Sequence, residues 1–364
     1  MTSAKLKPYH VFTIMIVFLL GTSIIYGTPK LVPDTWLVDL VTLLPATLLF
    51  CFYALLLAKG QHHDLFSLLV KAWGRIVGRI FVLGYTVYFL YIAARNVRDM
   101  TELVTTSLLR FTPNPIIVAL FVLIVAYTSA GGLFAIGRLS VLIATMVLFF
   151  FVVMAVLLVA SDSVDMERLL PFLSHGFAEV WLASLTSTIW FPYGELIVFL
   201  VFFPTLGNLR QFRRTGLAAL WSAGLILTLS DILLTTTLGM ENIQFSVFAL
   251  LDAARMINIA NFITRMDALV ALIIMFGVLL KCSVFLYAGC KGAALVFRIQ
   301  AHNVHLPASL LIGAFSILIA SNGAEHYKEG LKIVMYALHM PLQLVLPFLT
   351  LLLVWIRYRR GGTS

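Results

Sequence analysis

The stretch WFPYGELIVFLVFFP, at positions 190–204, lies inside an apolar run long enough to cross a lipid bilayer. Near the centre of that run stand Pro192, Gly194 and Glu195. Proline removes a backbone donor and disturbs the preceding turn of a helix, and glycine tolerates the backbone angles of an unwound segment. This combination predicts a membrane helix whose freed backbone groups face a ligand instead of lipid, and a simple proline kink is the alternative.

The composition of the whole chain is typical of a protein that lies mostly in lipid. Of its 364 residues, 61% are hydrophobic and 11% are charged, whereas a soluble domain has roughly 45–50% apolar and about 25% charged residues. We therefore predict an all-α integral membrane protein with ten transmembrane helices, since a helix that crosses the bilayer needs about 20 mainly apolar residues. The predicted spans are 9–29, 36–58, 80–107, 114–130, 139–160, 182–203, 216–239, 267–297, 305–321 and 334–356.

Basic residues are distributed unequally between the two sides of the predicted bundle. With the N-terminus inside, fifteen of the 25 lysines and arginines fall at cytoplasmic ends and seven fall outside. This asymmetry follows the positive-inside rule and places both termini in the cytoplasm. The cluster RQFRR at 210–214 is then explained as a topology signal and a contact for anionic lipids of the bilayer. We predict no nucleic-acid partner.

The ten predicted spans form one membrane domain, residues 1–364, that divides into halves of five spans at about 9–160 and 182–356. Because each half has an odd number of spans, the second half inserts in the opposite sense, which predicts an inverted repeat. Each half begins with an interrupted span, which is LLGTSIIYGTP at 19–29 in the first half and the stretch quoted above in the second. Broken helices in corresponding positions of two halves indicate a transporter-type binding site.

Two charged residues are placed at mid-membrane depth, Glu195 in span 6 and Lys281 in span 8. A charged acidic side chain costs about 3 kcal/mol at that depth, so Glu195 needs a partner or stays protonated. Lys281 is the evident partner. Glu195 lies in the first turn after the break, where the helix dipole favours negative charge. Three roles stay open for Glu195: it binds a ligand ammonium, carries a proton or pairs with Lys281. A fixed Lys281 ammonium could occupy the space of a bound cation and remove the need for sodium, and a structural ion pair is the alternative.

Span 3 carries a stripe of aromatic and charged residues along one helix face. The pattern predicts a helix that lines a water-filled vestibule, with aromatic residues on its inner part and charges on its outer part. The alternative is i,i+4 pairing of Arg95 with Asp99 and of Arg98 with Glu102. The stripe consists of Gly84, Tyr88, Tyr91, Arg95, Asp99 and Glu102.

The residues Gly21, Thr22 and Ser23 begin the second half of span 1. N–H groups at the start of a helix attract an anionic group such as a carboxylate. With Glu195 opposite, these N–H groups would suit a zwitterion, which is the physical case for an amino acid ligand. Helix packing through small residues is the alternative.

Nothing in the sequence indicates catalysis. The three cysteines, Cys51, Cys282 and Cys290, all fall inside predicted spans and imply neither a disulfide framework nor a metal site. There is no Gly-rich phosphate loop and no nucleophile elbow. We therefore predict that the protein is not an enzyme and that it uses no metal or cofactor.

Three stretches resemble the B subunits of endospore nutrient germinant receptors, a family of the amino acid/polyamine/organocation transporter superfamily. They are FLLGTSIIYGTP in span 1, WFPYGELIVFLVFFP in span 6 and ARMINIANFITRMDAL at 254–269. The resemblance covers nearly the full length of the chain. The chain departs from transporter relatives at the first break. Those relatives often have two glycines there, whereas in this chain Thr22 and Ser23 follow a single glycine, Gly21. The third stretch carries Arg255, Ile259, Phe262, Arg265 and Asp267 at the positions expected of the family.

The resemblance implies a ten-helix, transporter-like fold with broken helices 1 and 6 and a germinant pocket at mid-membrane. It also implies a complex with an A subunit and a lipoprotein C subunit in the spore inner membrane. The implied function is that of a receptor subunit that binds a small germinant, expected to be an amino acid, and signals to its partners. A proton-coupled amino acid transporter is the alternative, and a ligand-opened ion or water conduit is a third possibility. The candidate ligand-binding residues are Gly21, Thr22, Ser23, Tyr88, Tyr91, Phe191, Pro192, Gly194, Glu195, Lys281 and Tyr287.

Overall fold

The computed structural model describes residues 6–26, 32, 34–259, 263–264 and 266–361. These residues form helices, together with one antiparallel pair of two-residue strands, β1 (Asn258–Ile259) and β2 (Ile263–Thr264). The α-helices are α1 (Pro8–Leu20), α2 (Ser23–Tyr26), α3 (Thr35–Lys59), α4 (Leu65–Trp73), α5 (Arg75–Ser107), α6 (Asn114–Ala130), α7 (Gly132–Ala160), α8 (Phe177–Ala183), α9 (Leu209–Leu238), α10 (Met240–Phe245), α11 (Ala249–Met256), α12 (Asp267–Phe297), α13 (His305–Leu318), α14 (Gly323–Glu329) and α15 (Leu346–Gly361). The 3-10 segments are Met166–Leu169, Tyr193–Val201, Phe203–Thr205 and Ala301–Val304, and the π-helical segments are Ser184–Thr188, Gly330–His339 and Pro341–Val345.

Eight helical segments within the described ranges are long and apolar enough to cross a membrane. Two shorter apolar helices, α1 and α6, lie where the sequence predicts spans 1 and 4. The predicted helical membrane architecture is therefore confirmed apart from the short strand pair, and the count of ten spans stays a prediction. The eight segments are Thr35–Lys59, Arg75–Ser107, Gly132–Ala160, Phe177–Val201, Leu209–Leu238, Asp267–Phe297, Ala301–Leu318 and Gly323–Ile356.

The helix α12 is the central element of the bundle. It packs along α5 and also contacts α1, α6 and α7. Together with the segment Phe177–Val201 it is among the most deeply buried of the spans. The peripheral helices instead expose apolar side chains such as Leu44 and Leu48, as expected for a surface that faces lipid, where helices satisfy all backbone hydrogen bonds internally.

The first span is interrupted between α1 and α2. Gly21 has φ −13° and ψ −97°, which lies outside the helical region and ends α1. The turn packs directly on α12, since a Cβ added to Gly277 would lie only 3.4 Å from the Cα of Gly21. The predicted break of this span is confirmed at Gly21, whereas Gly27 and Pro29 lie outside the described residues.

The sixth span changes its helix type along its length. It begins as α8, continues as the π-helical segment Ser184–Thr188, and resumes after a turn as the 3-10 segment Tyr193–Val201. Pro192 stands directly before that 3-10 segment and has no N–H to continue the helix. The N–H of Gly194 bonds back to Ile189 O at 2.8 Å. The predicted interruption at Pro192 and Gly194 is thus confirmed.

The family-like stretch at 254–269 joins α11 to α12. Arg255 Nη1 lies 2.9 Å from Asp252 Oδ1, and its Nε lies 3.3 Å from Asp267 Oδ2. One arginine therefore ties the end of α11 to the first residue of α12. Phe262 and Arg265 of the same stretch lie outside the described residues.

Candidate functional site

The two helix breaks meet at the side chain of Lys281. Its Nζ lies 2.7 Å from Glu195 Oε2 and donates a hydrogen bond of 3.1 Å to Thr22 Oγ1. The Lys281 and Glu195 side chains are 0% and 1% exposed. The ring centroids of Phe191 and Phe18 lie 4.6 Å and 5.3 Å from Nζ. The pairing predicted from the sequence is confirmed, while the ligand-binding and proton-carrying roles of Glu195 stay predictions.

The Lys281 ammonium is held by charge, by a hydroxyl and by two aromatic faces. A buried charge is tolerated only when it is paired and its remaining polar contacts are satisfied, and aromatic faces attract a desolvated cation. Gly21 permits this close approach, because a Cβ at that position would lie 3.0 Å from Lys281 Cδ. A fixed protein cation therefore stands between the two broken helices.

A second polar cluster lies beside the break of the sixth span. Tyr88 Oη is 2.7 Å from His339 Nδ1 and accepts a hydrogen bond of 2.8 Å from Gln343 Nε2. Tyr53 Oη lies within donor reach of both Gly194 O, at 3.1 Å, and Gln343 O, at 2.9 Å. A Cβ on Gly194 would overlap Gln343 Oε1. The unwound backbone is thus in direct contact with the segment that carries Gln343.

A cavity of about 90 Å³ lies between α5, the break of the sixth span, α14 and the π-helical segment Gly330–His339. We call it the central cavity, and it has room for several water molecules or a small ligand. Charged side chains of both signs line it. Its wall consists of Ile92, Arg95, Asn96, Asp99, Phe191, Glu195, His326, Tyr327, Gly330, Leu331, Val334, Met335 and His339.

The charges in the central cavity are connected across elements. His326 Nε2 lies 2.7 Å from Asp99 Oδ1. Arg95 Nη2 donates to His326 O at 2.5 Å, and its Nη1 lies 4.0 Å from Glu329 Oε2. Arg95 and Asp99 of α5 therefore both contact α14, and their predicted i,i+4 pairing with each other stays a prediction.

A second, larger cavity of about 500 Å³ adjoins the central one at the end of the bundle that the predicted topology places outside. Glu102 lines this large cavity, and Tyr327 and Leu331 line both cavities. Arg98 Nη2 lies 2.7 Å from Glu102 Oε1, which confirms the predicted i,i+4 pair. The charged part of the predicted stripe on α5 therefore does face cavity space.

The predicted ligand-binding residues fall into three groups. Phe191 and Glu195 line the central cavity, and Gly21, Thr22 and Lys281 are joined to Glu195 through the ion pair. These five residues are brought together as the sequence predicts. Their binding of a ligand stays a prediction.

The second group lies near the cavity without forming its wall. Tyr88 contacts His339 of the cavity wall directly. Gly194 lies against Gln343, which in turn contacts His339. Pro192 precedes the 3-10 segment. Tyr91 accepts a long hydrogen bond of 3.5 Å from Arg95.

The third group consists of Ser23 and Tyr287. Ser23 Oγ is buried and has no hydrogen-bond partner within the described part of the chain. The Tyr287 ring packs against Phe202 at 5.4 Å and stacks on His305 at 6.0 Å, so it belongs to a different part of the core.

Four polar residues of the site were missed by the sequence reasoning: Asn96, His326, His339 and Gln343. A signal existed for His339 and Gln343, because polar side chains inside an apolar span are usually functional or paired. They lie one helical turn apart and face Tyr88. No comparable signal marks His326, whose contact with Asp99 depends on tertiary structure. Across the described residues no three His, Cys, Asp or Glu side chains come together as a metal site.

The family described as spore germination protein matches residues 5–326 of the chain. The chain belongs to the spore germination protein family. This member is 29% identical to spore germination protein KB of Bacillus subtilis (strain 168), over 99% of its own length and 97% of the relative. It is 27% identical to spore germination protein A2 of the same organism, over 55% of each chain.

Among solved structures, this spore germination protein is similar to MHP1, a nucleobase-cation-symport-1 family transporter in a closed conformation with bromovinylhydantoin bound. The TM-score is 0.62, and the similarity covers 90% of this chain and 75% of MHP1 at 13% identity. At that identity the comparison shows a shared fold and nothing about the ligand. The chain is thus a multi-pass membrane protein of the germination family with a transporter-like fold.

Proposed function

We propose that this protein is the membrane subunit of a spore nutrient germinant receptor, which binds a small germinant, an amino acid, and signals to partner subunits. The central cavity is the observation that carries the proposal. It is lined by charges of both signs, and Glu195 and Phe191 at the broken sixth span form part of its wall. Membership of the spore germination family supports the biological role.

A zwitterion suits this cavity because both of its charges would meet a complementary group there. A buried site pays for the desolvation of a charged ligand only where it supplies charges and hydrogen bonds in return. The apolar side chains of Phe191, Val334 and Met335 would accept a short aliphatic side chain. The small volume, about 90 Å³, favours a small amino acid.

Signalling is proposed to arise from the two walls that are not α-helical. These are the 3-10 segment Tyr193–Val201 and the π-helical segment Gly330–His339. Tyr53 and Gln343 connect the first of these to the chain that follows the second. A ligand that contacts both walls would favour one arrangement of these segments over another, and this shift of population would change the surface offered to partners.

The proposed architecture and assembly follow the family resemblance. We expect ten transmembrane helices in a 5+5 inverted repeat within a single domain, with helices 1 and 6 broken as they are at Gly21 and Pro192. Both termini would lie in the cytoplasm, and the protein would reside in the spore inner membrane with A and C subunits. No enzymatic step is proposed.

The second candidate function is proton-coupled transport of an amino acid. It is favoured by the transporter fold, since MHP1 is named as a symport family member. The Lys281 ammonium fills the position between the two breaks, so a coupling sodium ion is not expected there. A coupling proton would then have to be carried by a carboxylate such as Glu195.

Binding and uptake measured together separate the two functions. The full chain would be purified into proteoliposomes with an imposed proton gradient and exposed to each labelled amino acid. Saturable binding without uptake, retained in Glu329→Gln, is the result expected of the receptor. Gradient-driven uptake that disappears in Glu195→Gln would establish the transporter instead. Binding of no amino acid would overturn the amino acid ligand in both cases.

A further inference from the structure

Arg95 is a cation of the central cavity that has no close carboxylate contact among the residues that the structure describes. Its ion-pair contact with Glu329 is long, at 4.0 Å, and the Glu329 side chain is 32% exposed. Arg98, one turn further along α5, has a carboxylate at 2.7 Å. Long, partly solvated pairs contribute little. The Arg95 guanidinium donates to two neutral oxygens, His326 O and Tyr91 Oη, so its positive charge is still available to an anion.

The carboxylates of the cavity, in contrast, already have cationic or histidine partners. Glu195 Oε2 lies 2.7 Å from Lys281, and Asp99 Oδ1 lies 2.7 Å from His326. An incoming ammonium would have to compete with a buried lysine for Glu195. A neutral acceptor that is not engaged is therefore a better site for a ligand N–H donor.

Asn96 supplies such an acceptor beside Arg95. It is 3% exposed, its Nδ2 donates to Ile92 O at 2.6 Å, and it lines the cavity. Its Oδ1 is buried and has no hydrogen-bond partner in the described ranges of the chain. Leaving a buried acceptor unpaired is unfavourable, so a donor that enters the cavity is drawn to it.

We infer that Arg95 and Asn96 set the ligand specificity: Arg95 binds the carboxylate of the ligand, and Asn96 Oδ1 accepts a hydrogen bond from its amino group. This assignment rests on the proposed function, because it names the recognition groups of the same cavity. It places the carboxylate on α5 instead of at the N–H groups of Gly21, Thr22 and Ser23. The remaining wall, with Phe191, takes a small apolar side chain.

Ligand analogues test, on the wild-type protein, whether the carboxylate and the amino group of the ligand are both recognised. Labelled glycine, L-alanine and L-valine would be bound to the full chain in lipid nanodiscs and displaced by two analogues of each. The amide analogue lacks the carboxylate charge, and the deaminated acid lacks the amino group. We expect each analogue to compete at least about 10-fold more weakly than its parent amino acid. Equal competition by the amide would overturn the role of Arg95.

The role of the Arg95 side chain is tested with variants of Arg95 and of Arg98, one helical turn away on α5. Arg95→Gln should weaken amino acid binding at least about 10-fold and abolish the preference for the acid over its amide, because the discriminating charge is gone. Arg98→Gln is the matched control and should keep both affinity and preference, since Arg98 is absent from the cavity wall. Arg95→Lys should keep the preference for the acid over its amide. That result would show that the preference depends on the positive charge at position 95 and not on an altered fold.

Asn96→Leu should remove the preference for the amino acid over its deaminated acid while leaving the acid-to-amide preference in place. The possible outcomes distinguish the inference from the function on which it rests. Binding in the wild-type chain that is unchanged in Arg95→Gln and Asn96→Leu would overturn the inference and leave the proposed function standing. Binding of none of the three amino acids by the wild-type chain would overturn both.

Discussion

The Lys281 Nζ atom lies 2.7 Å from Glu195 Oε2, with both side chains buried at the point where the two broken helices meet α12. The same ammonium donates to Thr22 of the first break. One side chain of a continuous helix therefore connects two interrupted ones. Such a charge is stabilising only as long as its partner is present, and this gives the first prediction.

Lys281→Met should lower the free energy of unfolding by about 3–5 kcal/mol, because Glu195 would remain as an uncompensated buried charge. The double variant Lys281→Met, Glu195→Leu should recover much of this loss, since it removes both charges together. The stabilities of the two variants are measured by thermal unfolding in detergent, with the remaining fraction of monodisperse protein as the signal. Lys71→Met is the control, as Lys71 is exposed. A Lys281→Met variant as stable as the wild type would contradict the structural importance of the pair.

Gly194→Ala should destabilise the protein by roughly 1–3 kcal/mol, which is typical of an atom forced into a packed core. The added Cβ would overlap Gln343 Oε1 and would lie 3.3 Å from Ile189 O. Gln343→Ala in the same chain should restore part of the loss because it removes the overlapping atom. Gly84→Ala is the control, since a Cβ there meets nothing within 4 Å. Equal melting temperatures for the two alanine variants would show that Gly194 is not needed for close contact.

The sequence allowed the breaks and the ion pair to be predicted because their causes are local or costly. Pro192 and Gly194 act on their own backbone, and a charge such as Lys281 in an apolar span must find an opposite charge. Few acidic residues are available at that depth, so Glu195 was the evident partner. The observed 3-10 and π-helical geometry around the break was not predicted, since it depends on packing against neighbouring segments.

The composition of the central cavity could be predicted only in part. The stripe on α5 placed Arg95 and Asp99 on a face toward water, and both line the cavity. Their contacts with His326 on α14 could not be inferred, because they depend on how two segments distant in sequence are packed. Tyr287 was predicted for the site by resemblance, and the structure places it against Phe202 instead. Helical position alone does not fix which neighbour a side chain meets.

Tyr88→Phe should cost about 1–2 kcal/mol of stability. The lost hydroxyl accepts a hydrogen bond from Gln343 Nε2 and lies 2.7 Å from His339 Nδ1, and a buried hydrogen bond contributes about 1 kcal/mol while an unpaired partner costs more. The loss stays moderate because Gln343 and His339 also contact each other at 2.9 Å. Tyr127→Phe, at an exposed tyrosine, controls for the substitution. Identical melting temperatures of the two variants would exclude an energetic role for this cluster.

Gly330→Ala should separate ligand binding from stability. Gly330 has helical backbone angles, φ −54° and ψ −50°, so alanine is compatible with the backbone and should stabilise the segment by up to about 1 kcal/mol. An added Cβ would lie 2.7 Å from Arg95 Nη2, however, and the flexible guanidinium would have to move. We therefore expect an unchanged or raised melting temperature together with amino acid binding weakened by about 10-fold, which corresponds to about 1.4 kcal/mol.

The control for Gly330→Ala is Gly323→Ala, where an added Cβ would meet Glu102 at an ordinary distance of 3.4 Å and would not touch Arg95. This variant should keep wild-type affinity in the same nanodisc binding assay. If Gly330→Ala also binds the amino acid with wild-type affinity, the affinity does not depend on the position of the Arg95 guanidinium. If Gly330→Ala instead unfolds at a lower temperature than Gly323→Ala, the contact between α5 and the Gly330–His339 segment is structural, because a mobile side chain would have accommodated the added methyl group.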